Sequence, residues 1–377
     1  MAKKTTQSED AVNAQAPKGR SVSDTIDTVQ SISSTGVMST AIGDSFYGIN
    51  HRQQPSAIQI NKDMHGLTFF TRPRLNLTSE NIRNVRQLTP LLTNEAMSIQ
   101  RIIRCTLDPR LAKMAAPVSS PFVDPLQAFI PILTNHLLSM SGWPDWDAPT
   151  FTSHEGLMKE AYSIVDGEVS NYSTYDITAN FRNLDGDPIT TLIATWIRYM
   201  SSVYMGDLVP YPDSLISNEI DYNTRIYRVV LDPAKRKVQK IACCGASFPL
   251  NCPLGAAFNF EADKPLNQSN DQISISFRCM GACYNDDIII DEFNRTSGLF
   301  NVGMQESSFK KDAAGNVTNK FLVQIKYEWL NIFNSRGYPR IDPDTYELQW
   351  WVTKEDYQQK VSSIQFQDSI PTVKRIG

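Results

Sequence analysis

Residues 175–206 read YDITANFRNLDGDPITTLIATWIRYMSSVYMG, and the way this stretch divides decides the fold. Tyr175, Ile177, Ala179 and Phe181 alternate with Asp176, Thr178, Asn180 and Arg182, the period of two of a strand with one buried face. Beyond it, Ile189, Leu192, Ile193, Trp196, Ile197, Met200, Val203 and Tyr204 recur at intervals of three and four, the apolar stripe of an amphipathic helix. Between the two lies Asp185-Gly186-Asp187, followed by Pro188. Gly186 suits a turn that needs positive φ, Asp187 an N-cap, and Pro188 the first helical position, where a missing N–H costs nothing. Gly206 suits the left-handed stop. The spacing predicts a helix over 188–205 with Asp187, Pro188 and Gly206 as its structural caps.

The same triplet has a chemical reading. Asp185 and Asp187 form an Asp-x-Asp pair, which in a glycosyltransferase-like enzyme would hold a divalent metal and a nucleotide-sugar diphosphate. That chemistry needs carboxylates free at the end of a strand in an open α/β sheet, whereas one of these is assigned to capping and no β-α-β alternation surrounds them. The acidic spacing of a calcium loop is also missing.

Outward from this stretch, strands are expected on both sides. RIYRVVLDPAKRKVQKIACC predicts a hairpin, with strands over Thr224–Leu231 and Val238–Cys244 around a polar turn. In DQISISFRCMGACY, Ile273, Ile275, Phe277 and Cys279 share one face. DDIIIDEFN reads as a short buried strand with an acidic rim, Phe69-Phe70 as a strand stopped by Pro73, and Thr78 or Ser79 as a helix start. Residues 117–151 read as ordered loop with one short helix around 126–140. FLVQIKYEWLNIFN and YELQWWVTKEDYQQK fit strand and helix equally. Strands flanking one packed helix make the fold class α+β, mainly β, a barrel or sandwich.

Four sections follow: a flexible arm over 1–45, poor in aromatics and rich in Ser and Thr; a strand and helix section over 46–125; a β core over 126–295; and a C-terminal extension over 296–377. Extended, the arm would reach roughly 150 Å, far enough to order against a neighbouring subunit. The chain of 377 residues carries 36 basic and 40 acidic side chains and a formal charge of -4. Nucleic-acid binding is therefore not the first expectation, although RLNLTSENIRNVR and DPAKRKVQK are short basic runs. There is no apolar leader and no apolar run of about 18 residues, so membrane insertion is not expected.

Six cysteines are too few for a disulfide framework, and Cys279 and Cys283 on one strand would stand about 13 Å apart, too far for a shared zinc ion unless Gly281 makes a bulge. The four histidines lack ligand spacing, no Gly-x-Ser-x-Gly elbow or phosphate-cradling loop occurs, and Ser307-x-x-Lys310 is a pattern close to chance. No catalytic residue, metal ligand or cofactor is expected.

The strand YDITANFRN, the GDP turn, the helix ITTLIATWIRYMSS, the hairpin RIYRVVLDPAKRKVQKIA with GASFP, and the strand ISISFRCMGACYND resemble the tube-forming proteins of contractile-tailed bacteriophages and their baseplate relatives, over roughly residues 125–295. The resemblance implies a virion protein made in the host cytoplasm, with no enzymatic role. Copies of it would join, with other tail or baseplate proteins, into rings of a hollow tube through which genomic DNA passes without specific binding. Ring contacts are expected at sheet edges in 222–231 and 273–279, at Tyr222, Ile226, Arg228, Ile273 and Ile275, and at Trp350 and Trp351.

Overall fold

The structure, a computed structural model, describes residues 65–167, 171–259, 262–263, 271–311, 317–330, 332–333 and 336–368. The arm expected over 1–45 lies outside the described residues. In chain order the main elements are β1 (His65–Phe70), α1 (Ser79–Ile82), α2 (Ile99–Leu107), α3 (Pro109–Lys113), α4 (Pro131–Asn135), β2 (Leu137–Ser141), β3 (Thr150–Thr152), β4 (Ser163–Val165), β5 (Asn171–Arg182), α5 (Pro188–Met205), α6 (Pro212–Ser217), β6 (Ile226–Leu231), β7 (Val238–Pro249), β8 (Gln272–Tyr284), α7 (Asp287–Phe300), β9 (Phe309–Lys311), β10 (Val317–Asn319), β11 (Leu322–Gln324), β12 (Tyr338–Ile341), β13 (Leu348–Thr353) and α8 (Lys354–Asp368).

Six strands form an antiparallel sheet in the order β1-β6-β7-β8-β5-β2. The sheet curls until its ends nearly meet. Beyond β1, Thr71 bridges Phe129, Arg72 N–H donates to Ala128 O at 2.9 Å and Ile130 N–H to Phe70 O at 2.9 Å, and α4 then carries the chain into β2. The result is an α+β protein built on a barrel-like sheet, as the alternation in β5 and β8 predicts.

Two cores use opposite sides of this sheet. On the inner side Phe70, Ile177, Phe181, Ile226, Ile275 and Phe277 pack with Leu192, Ile193, Trp196 and Tyr199 of α5 and Ile103 and Leu107 of α2. On the outer side of β1, β6 and β7, Phe69, Tyr227, Val229 and Ile241 meet Ile289, Ile290 and Phe293 of α7 and Ile341 and Leu348 of β12 and β13. The second sheet, β11-β13-β12, continues this layer, and α8 packs on it through Tyr357 against Trp329 and Phe333. No helix among the described residues is long and apolar enough to cross a membrane.

The helix of the opening stretch spans Pro188–Met205 with Pro188 first and Gly206 at φ 81° after it. The cap differs in mechanism. Asp187 holds the N-cap position at φ 49° and its side chain makes no capping bond. Its backbone carbonyl instead accepts from Thr191 N–H at 3.0 Å and Thr191 Oγ1 at 2.9 Å. The tight reversal after Arg182 puts Gly186 and Asp187 both at positive φ, which turns the carboxylate out to solvent. A Cβ on Gly206 would meet nothing within 4 Å, so Gly206→Ala should cost only the left-handed backbone penalty, about 1 kcal/mol, read as a lower urea midpoint with an unchanged slope.

Two further expectations are corrected. DDIIIDEFN belongs to helix α7, not a strand: Ile289, Ile290, Phe293, Ser297 and Phe300 are buried at helical spacing, and Asp286 caps the start by accepting from Ile288 N–H at 3.1 Å. The isoleucine run is too short to reveal its period alone. The helix around 126–140 shrinks to Pro131–Asn135, since the chain there becomes strand β2. The helix start read at Thr78 or Ser79 is where the structure has it, with Thr78 at the N-cap position of the one-turn α1. The ambiguous C-terminal stretches resolve into strand β11 followed by a single tight turn, and strand β13 followed by helix α8.

Candidate functional site: surfaces for assembly

Among the described residues no layer covers the outer side of β2, β5 and β8, which is mainly polar. Register places Asp176 opposite Arg278, Thr178 opposite Ser276, and Asn180 opposite Ser274 on one flank and Ser139 on the other. Asp176 and Arg278 form an ion pair, with Arg278 donating at 3.2 Å. Asn180 Nδ2 donates to Ser139 Oγ at 2.8 Å, and Ser141 continues the row beside Thr178. The surface is thus made mainly of short hydroxyl and amide side chains around one self-neutralised charge pair, with exposed Arg182 and Gln272 at one end and Met280 at the other. Their inward neighbours Ile177, Ala179, Phe181, Ile273, Ile275 and Phe277 are all buried, so the period of two builds this face and the core together.

The sheet edges are not where the sequence places them. Strands β6 and β8 are interior, each paired on both sides, and the ends are β1 and β2. Ile226, Ile273, Ile275 and Trp351 are buried within the protomer. Tyr222 is half-buried with its ring edge-on to Phe248, and Arg228 is half-buried, donating to Thr68 Oγ1 at 2.9 Å while burial lowers its pKa. Trp350 is half-buried beside Phe69. Four of the seven are thus closed to contact within the protomer, and Tyr222, Arg228 and Trp350 keep part of their surface exposed. A period of two tells which side chains share a side; it does not tell whether a strand has one neighbour or two. The outermost strand β2 carries the open edge, while β1 is partly covered by residues 128–130.

Between β2 and β5 the chain runs out into a separate two-stranded hairpin, β3-β4, with Phe151 opposite Ile164. At its root Tyr284 holds Trp143 and Trp146 at ring distances of 6.1 and 6.0 Å and donates from its hydroxyl to Pro144 O at 2.6 Å. Further out the hairpin is held only by its own bonds, among them Ser153 N–H to Tyr162 O and Gly156 N–H to Glu160 O, each 2.9 Å. Phe151, Leu157, Met158, Tyr162, Ile164 and Val165 are all exposed, Met158 at 91%. A lone two-stranded hairpin is marginal in water, and an apolar surface of this extent marks an interaction site. The sequence reading missed it because both faces are exposed, so no alternation marks its strands.

The chemical alternatives find little support in this geometry. Asp185 and Asp187 are exposed in the turn, and no group of three His, Cys, Asp or Glu suited to a metal occurs among the described residues. The acids around α7 serve structure: Asp286 caps, Asp287 accepts from Tyr346 Oη at 2.7 Å, and Glu292 pairs with Arg225 and Arg295. All six cysteines are free thiols, and burial pushes the thiol pKa of Cys105, Cys243, Cys252 and Cys283 up.

The model of a family described as "Putative phage tail tube protein" matches residues 4–367. Among solved structures, the tube-terminating cap of the anti-feeding prophage is similar at 12% identity and TM-score 0.26, covering 46% of this chain and 99% of that one. The sheath-tube complex of the extracellular contractile injection system PVC, in its extended state, is similar at 14% identity and TM-score 0.26, covering 42% and 82%. The sheath/tube terminator of that system follows at 12% and 0.23, covering 42% and 88%. No curated protein matches the chain.

Proposed function

Because the chain belongs to the family of phage tail tube proteins, we propose that this structural tail component closes with copies of itself into rings that stack around a lumen, in the virion, alongside other tail or baseplate proteins. The polar face of β2, β5 and β8 carries the reading. Among the described residues no layer covers this broad side of the barrel-like sheet. A wall that is mainly Ser, Thr and Asn, with one internally paired charge and exposed Arg182 at its end, would hold few phosphates, because capturing DNA takes many unpaired Lys and Arg. The open edge of β2 and the hairpin beside it supply what ring closure and stacking need: unpaired backbone and apolar area. The wall of the ring would then be the six-stranded sheet, which takes β1 from the section over 46–125 and its other strands from 126–295, with the C-terminal section added around it.

Replacing residues 150–165 by a short Gly-Ser turn tests this. The hairpin packs on no core cluster, so the variant should unfold at the same urea midpoint as the parent. It should sediment as a monomer at concentrations where the parent forms rings or tubes visible in negative stain. Assembly equal to the parent's would remove the hairpin from the account.

A further inference from the structure

A second exposed apolar surface lies on the other side of the protomer. From the end of α5 through α6, Tyr204, Met205, Val209, Leu215, Ile216 and Ile220 stand out of the surface, Tyr204 at 92% and Ile216 at 85% exposure. The ridge is fixed from beneath. Leu208 enters the inner core, and Asp221 accepts from Tyr199 Oη and from Tyr211 N–H, the latter at 2.9 Å. Residues 199–224 contain no Lys or Arg; Arg110 of α3 lies over the Tyr211 ring at 4.3 Å and faces Asp213, which leaves Asp207 and Glu219 as exposed acids among the apolar side chains. A fitting occupant is therefore apolar and basic.

This chain carries such a segment. Residues 369–377, SIPTVKRIG, place Ile370, Val373 and Ile376 at every third position, with Lys374 and Arg375 between the last two and no acid. We propose that the α5-α6 ridge receives residues 369–377 of a neighbouring copy. The source is a neighbour because the described chain ends with α8, in the layer outside β1, β6 and β7, whereas the ridge belongs to the layer on the inner side of the sheet. Nine residues reach about 30 Å when extended. A path within one copy would cross from the outer layer to the inner one and round a sheet edge. A neighbour that presents its outer layer to this ridge needs no detour. The contact rests on the assembly reading and adds a joint distinct from the hairpin.

The test places a photoreactive side chain in the full-length protein, Ile216→benzoylphenylalanine, in an equal mixture of unlabelled and 15N-labelled chains. The expected main product joins the peptide around Ile216 to one containing residues 369–377, with mixed-isotope pairs present. Lys374→Glu with Arg375→Glu should reduce that product about fivefold, and adding Asp207→Lys with Glu219→Lys should restore it, as a surface charge contact requires. Crosslinks between copies that join Ile216 to other peptides, such as the hairpin, overturn this contact and leave assembly standing. A tail product with only same-isotope pairs overturns the neighbour. No crosslink between copies under any condition overturns this contact and the assembly reading together.

Discussion

Arg72→Met should lower the free energy of unfolding by about 4 kcal/mol, the largest loss expected from a single change that leaves the apolar cores intact. Arg72 is 5% exposed and follows β1, where the barrel closes. Its Nε donates to Thr106 O at 2.9 Å, one terminal nitrogen to Asp124 O and Gln127 O at 3.1 and 3.0 Å, and the other to Cys105 O at 2.8 Å. One guanidinium thus ties the end of α2 and the 124–127 loop to the strand exit. Methionine would fill the space but leave those carbonyls short of donors, at roughly 1–3 kcal/mol for each that neither shifts nor meets water. Arg72→Lys should recover less than half, because three donors on a point cannot reach acceptors spread around a fork. The check is the urea midpoint of both variants. A loss under about 1 kcal/mol in Arg72→Met would mean that the loop relaxes and the barrel does not depend on this clasp.

Stability should also fall steeply above pH 10. Tyr199, Tyr227 and Tyr338 are buried, and desolvation raises the pKa of all three, helped by Asp221 beside Tyr199, Cys243 beside Tyr227 and Asp124 beside Tyr338. Each stays protonated in the fold at a pH where the unfolded chain releases its proton, near 10. Their contribution is complete below pH 10 and is lost as pH rises toward the folded pKa. Three such groups amount to about 4 kcal/mol per pH unit. Arg72 acts in the opposite sense: burial lowers its pKa to about 10, so the cost of burying its charge is relieved as pH rises past that value. Because these groups are still titrating there, the net expectation is a loss of about 2 kcal/mol from about pH 10 to about pH 11. Urea midpoints at pH 9, 10 and 11, with tyrosinate absorbance followed in the same samples, measure it. A flat midpoint with tyrosinate appearing in the folded protein would contradict the burial argument.

How much of this was legible in the sequence varies with the physics of each element. Helix α5 could be bounded to the residue because Pro188 and Gly206 each satisfy a backbone requirement that few other residues meet. Strands β5 and β8 were legible because one side of each is core and the other solvent. Helix α7 was not: DDIIIDEFN shows its spacing only when continued to Phe300, and the acids at its start serve a cap. Asp187 has the right residue type for a cap, but its conformation is set by the preceding turn, which local propensity does not encode.

The assembly surfaces were least legible. Ile226, Ile273 and Ile275 have the composition of contact residues and turn out to be core, since neighbours in the sheet are chosen by long-range pairing. The hairpin and the α5-α6 ridge are apolar without periodicity, except for Tyr204, which continues the helical stripe of α5 but stands exposed past the core. Their apolar side chains cover nothing in the protomer, so no alternation between buried and exposed positions marks them.

The central claim is that copies stack with the polar face of β2, β5 and β8 toward a lumen. The most direct measurement is a cryo-electron microscopy map of the assembled protein at a resolution that traces strands. The account predicts closed rings with Ser139, Thr178, Asn180 and Ser276 facing the axis and the hairpin of each copy buried against another. Rings that turn this face outward, or a protein that stays monomeric at high concentration and in the presence of its tail partners, would contradict it.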